Sequence, residues 1–130
     1  MVDLSTNAER ILAEPTTATL SIVGPDGIPH STPIWFLWRE GKIWVSTHAG
    51  RQKHLNALRA GKGSFSVIDP ENPSHYVELR GSLSVIDDPA MALRDEVVQK
   101  HGYNDGKAFD PADAVRIALV LTPTRVLGRH

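Results

Sequence analysis

The longest regular pattern in this chain of 130 residues runs over residues 75–86. Apolar and polar side chains alternate there with period two, which places Val77 on one face of an extended strand and Glu78 and Arg80 on the other. Gly81 interrupts the alternation and predicts a bend or a bulge. The pattern therefore predicts one long strand with an irregularity near its middle.

Turn signals divide much of the remaining sequence into further strands. Pro25-Asp26-Gly27 combines a fixed proline φ with a glycine that tolerates positive φ, which predicts a β-hairpin. Glu40-Gly41 predicts the next tight turn. Strand-forming composition marks residues 17–23, 29–38, 42–47, 64–68 and 115–121, the last of these ending before Pro123.

Two helix starts are visible beside these strands. Thr6 and Glu9 have the spacing of a capping box, which predicts a short helix through Ala13. Asp88-Pro89 has the usual order of a cap followed by proline and predicts a helix that runs to about His101. About six strands with two or three helices predict a single β-dominated barrel or sandwich over residues 1–130.

The second predicted strand carries two prolines, Pro29 and Pro33. Because proline cannot donate to a sheet ladder, these residues predict an edge, a bulge or a place where a ligand meets the backbone.

Residues 45–58 have the pattern of an anion site. A strand ends in Ser46 and Thr47, Gly50 forms a turn, and a basic helix follows. The first turn of a helix leaves N–H groups unpaired and carries a partial positive charge, so a phosphate can bind there.

Cations surround this helix start. Arg51 supplies a planar fork and Lys53 a mobile charge. Residues 41–68 contain no Asp or Glu but five cations, in a chain of net charge -1. This local excess favours an anionic ligand, although an ordinary solvated surface helix has the same composition. Leu55 and Leu58 are three apart and share one face of the helix.

Composition excludes several classes of protein. Without cysteine there can be no disulfide, thiol catalysis or iron–sulfur cluster. No segment approaches the roughly 20 apolar residues of a membrane span, so we expect a cytoplasmic protein that does not bind membranes. The near-neutral charge argues against nucleic acid as a partner. His48 and His54 are six apart, which does not place two metal ligands on one helical face, and no metal site is predicted.

The order of these motifs resembles a known family. Residues 25–36, 46–56 and 76–81 and the terminal Thr124-Arg125-Val126-Leu127-Gly128 follow each other as in the pyridoxamine 5′-phosphate oxidase-like split β-barrel superfamily. The resemblance is closer to its branch of flavin- and deazaflavin-dependent oxidoreductases that use coenzyme F420, and it covers about residues 17–128.

This resemblance implies a six-stranded split β-barrel of the FMN-binding type with flanking helices, forming a homodimer with cofactor sites between the subunits. The cofactor phosphate is expected on the anion site and the ring along the second strand, while Glu78 is either a further cofactor contact or half of a structural pair with Arg80. The implied cofactor-binding residues are Thr32, Pro33, Ile34, Trp35, Ser46, Thr47, Arg51, Lys53, Asn56 and Glu78.

The resemblance implies an oxidoreductase that passes a hydride from reduced F420 to an unsaturated small molecule such as an enone, a quinone or a tetrapyrrole. The cofactor performs this chemistry, so no catalytic side chain is required and none is predicted. Two alternatives stay open at this point. One is an FMN-binding pyridoxamine phosphate oxidase relative or flavin reductase, and the other is a non-enzymatic module that binds a flavin, a deazaflavin or haem.

Overall fold

A computed structural model describes residues 2–130 of the chain. It contains three α-helices, one 3₁₀ turn and seven strands within that range. In chain order these are α1 Thr6–Ala13, β1 Ala18–Val23, β2 Pro29–Ile34, β3 Leu37–Arg39, β4 Lys42–His48, α2 Gln52–Ala60, β5 Lys62–Ile68, β6 Tyr76–Asp87, α3 Ala92–Lys100, the 3₁₀ turn Lys107–Phe109 and β7 Arg116–Arg129.

All seven strands form one antiparallel sheet in the order β2-β1-β5-β6-β7-β4-β3. The two edge strands, β2 and β3, are successive in the chain and are joined by only Trp35 and Phe36. The sheet therefore curls until its edges approach each other. Its concave face encloses one large apolar core, which α1 and Ala57 of α2 help to cover.

The longest strands, β6 and β7, pair along most of their length and contain the predicted bulge. Arg80 faces Arg125, but Gly81 faces Pro123, so the register shifts between the two residues. A Cβ atom at Gly81 would lie 2.0 Å from the backbone oxygen of Thr122, which explains the glycine. The prediction of a bulge at this position is confirmed.

Two strand predictions require correction. Residues 29–38 form two strands because the buried Phe36 turns into the core, where its ring packs edge-on against Phe65 at 4.8 Å. The count is therefore seven strands rather than six. The last strand does not stop before Pro123 but continues to Arg129, since this proline lies at the register shift, where the regular ladder is already interrupted.

The starts of two helices also differ from prediction. Ser5, rather than Thr6, caps α1, and its Oγ accepts the Ala8 N–H at 3.0 Å. The third helix begins at Ala92 instead of Asp88-Pro89. Asp88 still serves this helix, because its carboxylate accepts the N–H groups of Leu93 and Arg94.

Helix α2 presents an unexpected face to the core. Leu55 and Leu58 are 47% and 61% exposed, whereas Lys53, Asn56 and Ala57 are buried. The spacing of the leucines correctly indicates a shared face, but that face points outward. The fold thus places a lysine and an asparagine where an apolar stripe would ordinarily lie.

Within residues 2–130, no helix is both long and apolar enough to cross a lipid bilayer.

Candidate cofactor site

A cleft of about 490 Å³ opens where β2 ends, β4 ends and α2 begins. The end of β2 contributes Pro33 and Ile34, followed by Trp35. Helix α3 and the start of β7 form the remaining wall. The edge strand β2 leaves one side of its backbone outside the sheet, as its prolines had indicated.

The floor of the cleft is built by β4 and the turn that follows it. Ser46 and Thr47 pair with β7, which holds both residues at the end of a regular ladder. Gly50 has φ +90° and allows the chain to turn directly into α2. Arg51 occupies the N-cap position without a side-chain hydrogen bond, so no side chain closes this helix start.

Lys53 is the side chain of the cleft that points most directly to an anionic ligand. It is only 8% exposed, and among residues 2–130 it has neither an acidic partner nor a hydrogen-bond acceptor. Burial lowers the pKa of Lys53 below its usual value, and the nearby charges of Arg51 and Arg116 lower it further. The aliphatic stem is buried while the ammonium faces the open cleft, so an anion bound there would gain a charge-assisted contact.

Arg116, which the sequence did not single out, adds a further cation. It lies at the start of β7 opposite His48, and its Nη1 lies 3.4 Å from the Ser46 hydroxyl. Burial lowers the pKa of His48, and the Arg116 and Arg51 charges act in the same direction. Both effects favour the neutral imidazole.

Asp110 anchors two arginines beside the cleft. Its carboxylate accepts hydrogen bonds from Arg116 Nε at 2.7 Å and from Arg94 Nη1 at 2.6 Å. Burial raises the pKa of Asp110, but the bonds from both guanidinium groups outweigh this effect and lower it. The carboxylate fixes both arginines in place and offsets part of their charge. Lys53 and Arg51 are therefore the cations that make the cleft positive.

An aromatic cluster forms the rim of the cleft. The Trp35 ring stacks on His101 at 3.9 Å with an interplanar angle of 7°. Tyr103 and Phe109 contact the same tryptophan and each other, and about half of each side chain is exposed. The segment after α3 therefore packs against Trp35 and narrows the entrance.

Lys100 holds this segment to the barrel. Its Nζ donates to the Phe36 carbonyl at 3.2 Å and to the Leu12 carbonyl at 3.3 Å. The same ammonium lies 4.0 Å from the centre of the Phe36 ring. The contact links the end of α3 to α1 and to the turn between β2 and β3.

Seven of the ten predicted site residues line the cleft, and the structure places the other three elsewhere. The seven are Pro33, Ile34, Trp35, Ser46, Thr47, Arg51 and Lys53. Asn56 lines a second cavity of about 380 Å³, and Thr32 lines neither cavity.

Glu78 lies away from both cavities. Its carboxylate accepts from Arg80 Nε at 2.6 Å and from the Ser64 hydroxyl at 3.0 Å. The hydrogen bond from Arg80 is the main reason that the pKa of Glu78 is lowered. The pair lies within one strand, at positions that share a face, rather than across two strands.

Sequence reasoning missed several lining residues. Arg94, Val97 and Val98 come from α3, and Phe109 and Arg116 come from later in the chain. Arg116 could have been found only by pairing β7 with the strand that carries Ser46, since the two are 70 residues apart. No local motif marks the side of α3 that faces the cleft.

The family model described as pyridoxamine 5′-phosphate oxidase matches residues 4–130 of the chain. The chain belongs to the pyridoxamine 5′-phosphate oxidase family. No protein among the curated sequences is significantly similar to it.

Solved structures agree with this membership. One described as an F420 reductase is 30% identical to this family member, with a TM-score of 0.84 over 95% of this chain and 98% of the other. The conserved hypothetical protein Rv2991 from Mycobacterium tuberculosis is 23% identical, with a TM-score of 0.80 over 98% of this chain and 85% of the other. A putative pyridoxamine 5′-phosphate oxidase from Listeria innocua is 15% identical, with a TM-score of 0.69 over 94% of each chain, a likeness of fold.

Proposed function

We propose that the chain is an oxidoreductase that uses reduced coenzyme F420 to reduce an unsaturated small molecule such as an enone, a quinone or a tetrapyrrole. The observation that carries the proposal is Lys53, whose stem is buried and whose ammonium faces the cleft without an acidic partner among the described residues. A phosphate-bearing cofactor supplies the missing anion.

The residues of the cleft fit such a cofactor. Lys53, Arg51 and the hydroxyls of Ser46 and Thr47 would hold the phosphate. The planar ring would lie against the apolar wall of Ile34 and Trp35.

When bound, the reduced deazaflavin supplies a hydride, and the chain supplies position and environment. Trp35 and Phe109 would exclude water from the ring side of the cleft. Because its surroundings favour the neutral form, the His48 imidazole can offer an N–H group to a substrate oxygen without adding a charge.

F420 is favoured over FMN by two observations. The relative that is 30% identical is described as an F420 reductase. Residues 41–68 also carry five cations and no acidic residue, more positive charge than a single phosphate needs, which suits the long acidic tail of the deazaflavin. FMN is the second candidate because it carries the same type of phosphate and because the family model is that of pyridoxamine 5′-phosphate oxidase.

We also propose a homodimer in which the partner completes the cofactor groove. Leu55 and Leu58 support this part of the proposal, because α2 exposes an apolar face directly beside its basic start.

The test is a titration of purified apo-protein with F420 and, separately, with FMN, following the fluorescence of each cofactor. Micromolar binding of F420 with little binding of FMN is the expected result. The loaded protein is then screened with enones, quinones and tetrapyrroles, and loss of the reduced deazaflavin spectrum reports turnover. The reverse preference would make FMN the cofactor, and binding without turnover of any acceptor would indicate a binding module.

A further inference from the structure

One wall of the cleft is left free by the proposed cofactor contacts. The phosphate is assigned to the start of α2 and the end of β4, and the ring is assigned to Ile34 and Trp35. The side formed by α3, the 3₁₀ turn and the start of β7 has no assigned ligand. We call this side the α3 wall, and its lining residues are Arg94, Val97, Val98, Phe109 and Arg116.

Two arginines are the charged groups of the α3 wall. Arg94 is 8% exposed and Arg116 is 9% exposed. A guanidinium group does not lose its proton in a protein, so each of these buried groups needs an acceptor nearby. Without such acceptors, both arginines would attract an anionic ligand to this part of the cleft.

Two aspartates that do not line the cleft supply these acceptors. Asp110 accepts from Arg94 Nη1 at 2.6 Å and from Arg116 Nε at 2.7 Å. Asp95 accepts from Arg94 Nη2 at 3.0 Å and from the Gly106 N–H at 2.9 Å. The cluster therefore contains two cations and two carboxylates and is neutral overall.

The remaining surface of the α3 wall is apolar. Val97, Val98 and Phe109 supply no hydrogen-bonding side chain. His48, which also lines the cleft, has surroundings that favour its neutral form. A ligand with a carboxylate would lose its hydration against this wall and would find both arginines already paired.

We propose that Asp110 sets the charge selectivity of the acceptor site. Because it neutralises Arg94 and Arg116, the α3 wall takes an uncharged carbonyl compound, such as a quinone or an enone without acidic groups. An acceptor that carries a carboxylate or a sulfonate is rejected. Asp110 acts through the two arginines and does not touch the acceptor, so it is a positioning residue. The inference rests on the proposed function and narrows its acceptors, since a tetrapyrrole with carboxylate side chains would be excluded.

The experiment measures binding to protein saturated with oxidised F420, which fills the phosphate site and cannot reduce a probe. The probes are β-naphthamide and β-naphthoate, two planar ligands of nearly equal shape that differ by one negative charge at pH 7. Calorimetry gives both dissociation constants. Wild type should bind the amide at least about tenfold more tightly than the carboxylate. Asp110→Asn leaves one positive charge unpaired, so it should strengthen binding of the carboxylate about tenfold and leave the amide unchanged.

Two variants control for the carboxylate and for net charge. Asp110→Glu keeps the carboxylate, and Asp113→Asn removes an exposed acid of the same segment that pairs with neither arginine. Both should keep the wild-type ratio of the two affinities. Thermal unfolding shows which variants are folded. If Asp110→Asn is not, Asp95→Asn takes its place, because it removes the other carboxylate on Arg94 and keeps an oxygen for the Gly106 N–H.

Equal binding of the two probes by wild type would overturn the inference. A wild-type ratio in the folded Asp→Asn variant would also overturn it, since the aspartates would then only support the fold. Binding of neither probe would refute the placement of an acceptor on the α3 wall. Loading of F420 is measured before any probe is added, so its failure is recognised separately and would refute the proposed function, and this inference with it.

Discussion

Lys53→Met removes a cation that the fold points into the cleft without a counter-charge among the described residues. The side chain is 8% exposed and faces the cleft, and methionine replaces its aliphatic stem without its charge. A charge-assisted hydrogen bond contributes roughly 1.5–3 kcal/mol, so the variant should bind a phosphate-bearing cofactor roughly 10- to 150-fold more weakly than wild type.

In the absence of cofactor, the same substitution should not lower the free energy of unfolding. Burial, and then the charges of Arg51 and Arg116, lower the pKa of Lys53 below 10.5 in the folded state. Between the folded and unfolded pKa values the unfolded chain binds more protons, so the free energy of unfolding rises with pH in that interval. Lys53→Met lacks this rise and should be at least as stable as wild type at pH 7.

Cofactor titration tests the expected loss of affinity, and thermal unfolding at pH 7 tests the expected stability of the apo-protein. Lys62→Met removes one exposed lysine at the start of β5 and controls for net charge. Weaker binding with an unchanged or higher melting temperature is expected for Lys53→Met alone. Unchanged binding would refute the placement of the phosphate, and a large loss of stability would show that Lys53 has an acidic partner in solution.

Two further changes test the supports of the cleft. Burial lowers the pKa of Lys100 to about 8, so this group should raise the free energy of unfolding of wild type from pH 8 towards 10.5, and Lys100→Met should reduce that rise in urea denaturation at pH 7 and 10. Asp110→Asn leaves Arg94 and Arg116 without their shared carboxylate and should reduce the free energy of unfolding by about 3 kcal/mol in the same assay. A loss below about 1 kcal/mol would indicate that water replaces the carboxylate.

Much of the fold could be predicted because local chemistry encodes it. The alternation along residues 75–86 predicted β6, and Gly81 predicted its bulge, since the side chain of any other residue would meet the facing backbone. The predictions failed where a tertiary contact decided the geometry. Phe36 ends β2 because it packs in the core against Phe65, and a local strand propensity cannot show that.

Some residues of the candidate site could likewise be predicted from the sequence, and others are brought to the cleft only by tertiary contacts. The anion site from Ser46 to Lys53 could be predicted from hydroxyls and cations close to a helix start, whereas Ile34 and Trp35 were predicted from the family resemblance, beside a strand that its prolines marked as unusual. Arg116 and Phe109 could not, because only the pairing of β7 with β4 and the packing of the segment after α3 bring them to the cleft.

The sequence by itself determined a β-dominated domain with a basic helix start, because strand alternation, turn residues and helix-terminal charge depend on neighbours a few residues apart. Only the tertiary structure decided which side of α2 is buried. The amphipathic pattern favours Leu55 and Leu58, yet the core takes Lys53 and Asn56. The physical reason is that burial depends on how α2 packs against the curled sheet. This packing buries the stem of Lys53 and points its ammonium into the cleft, where an anionic ligand can bind it.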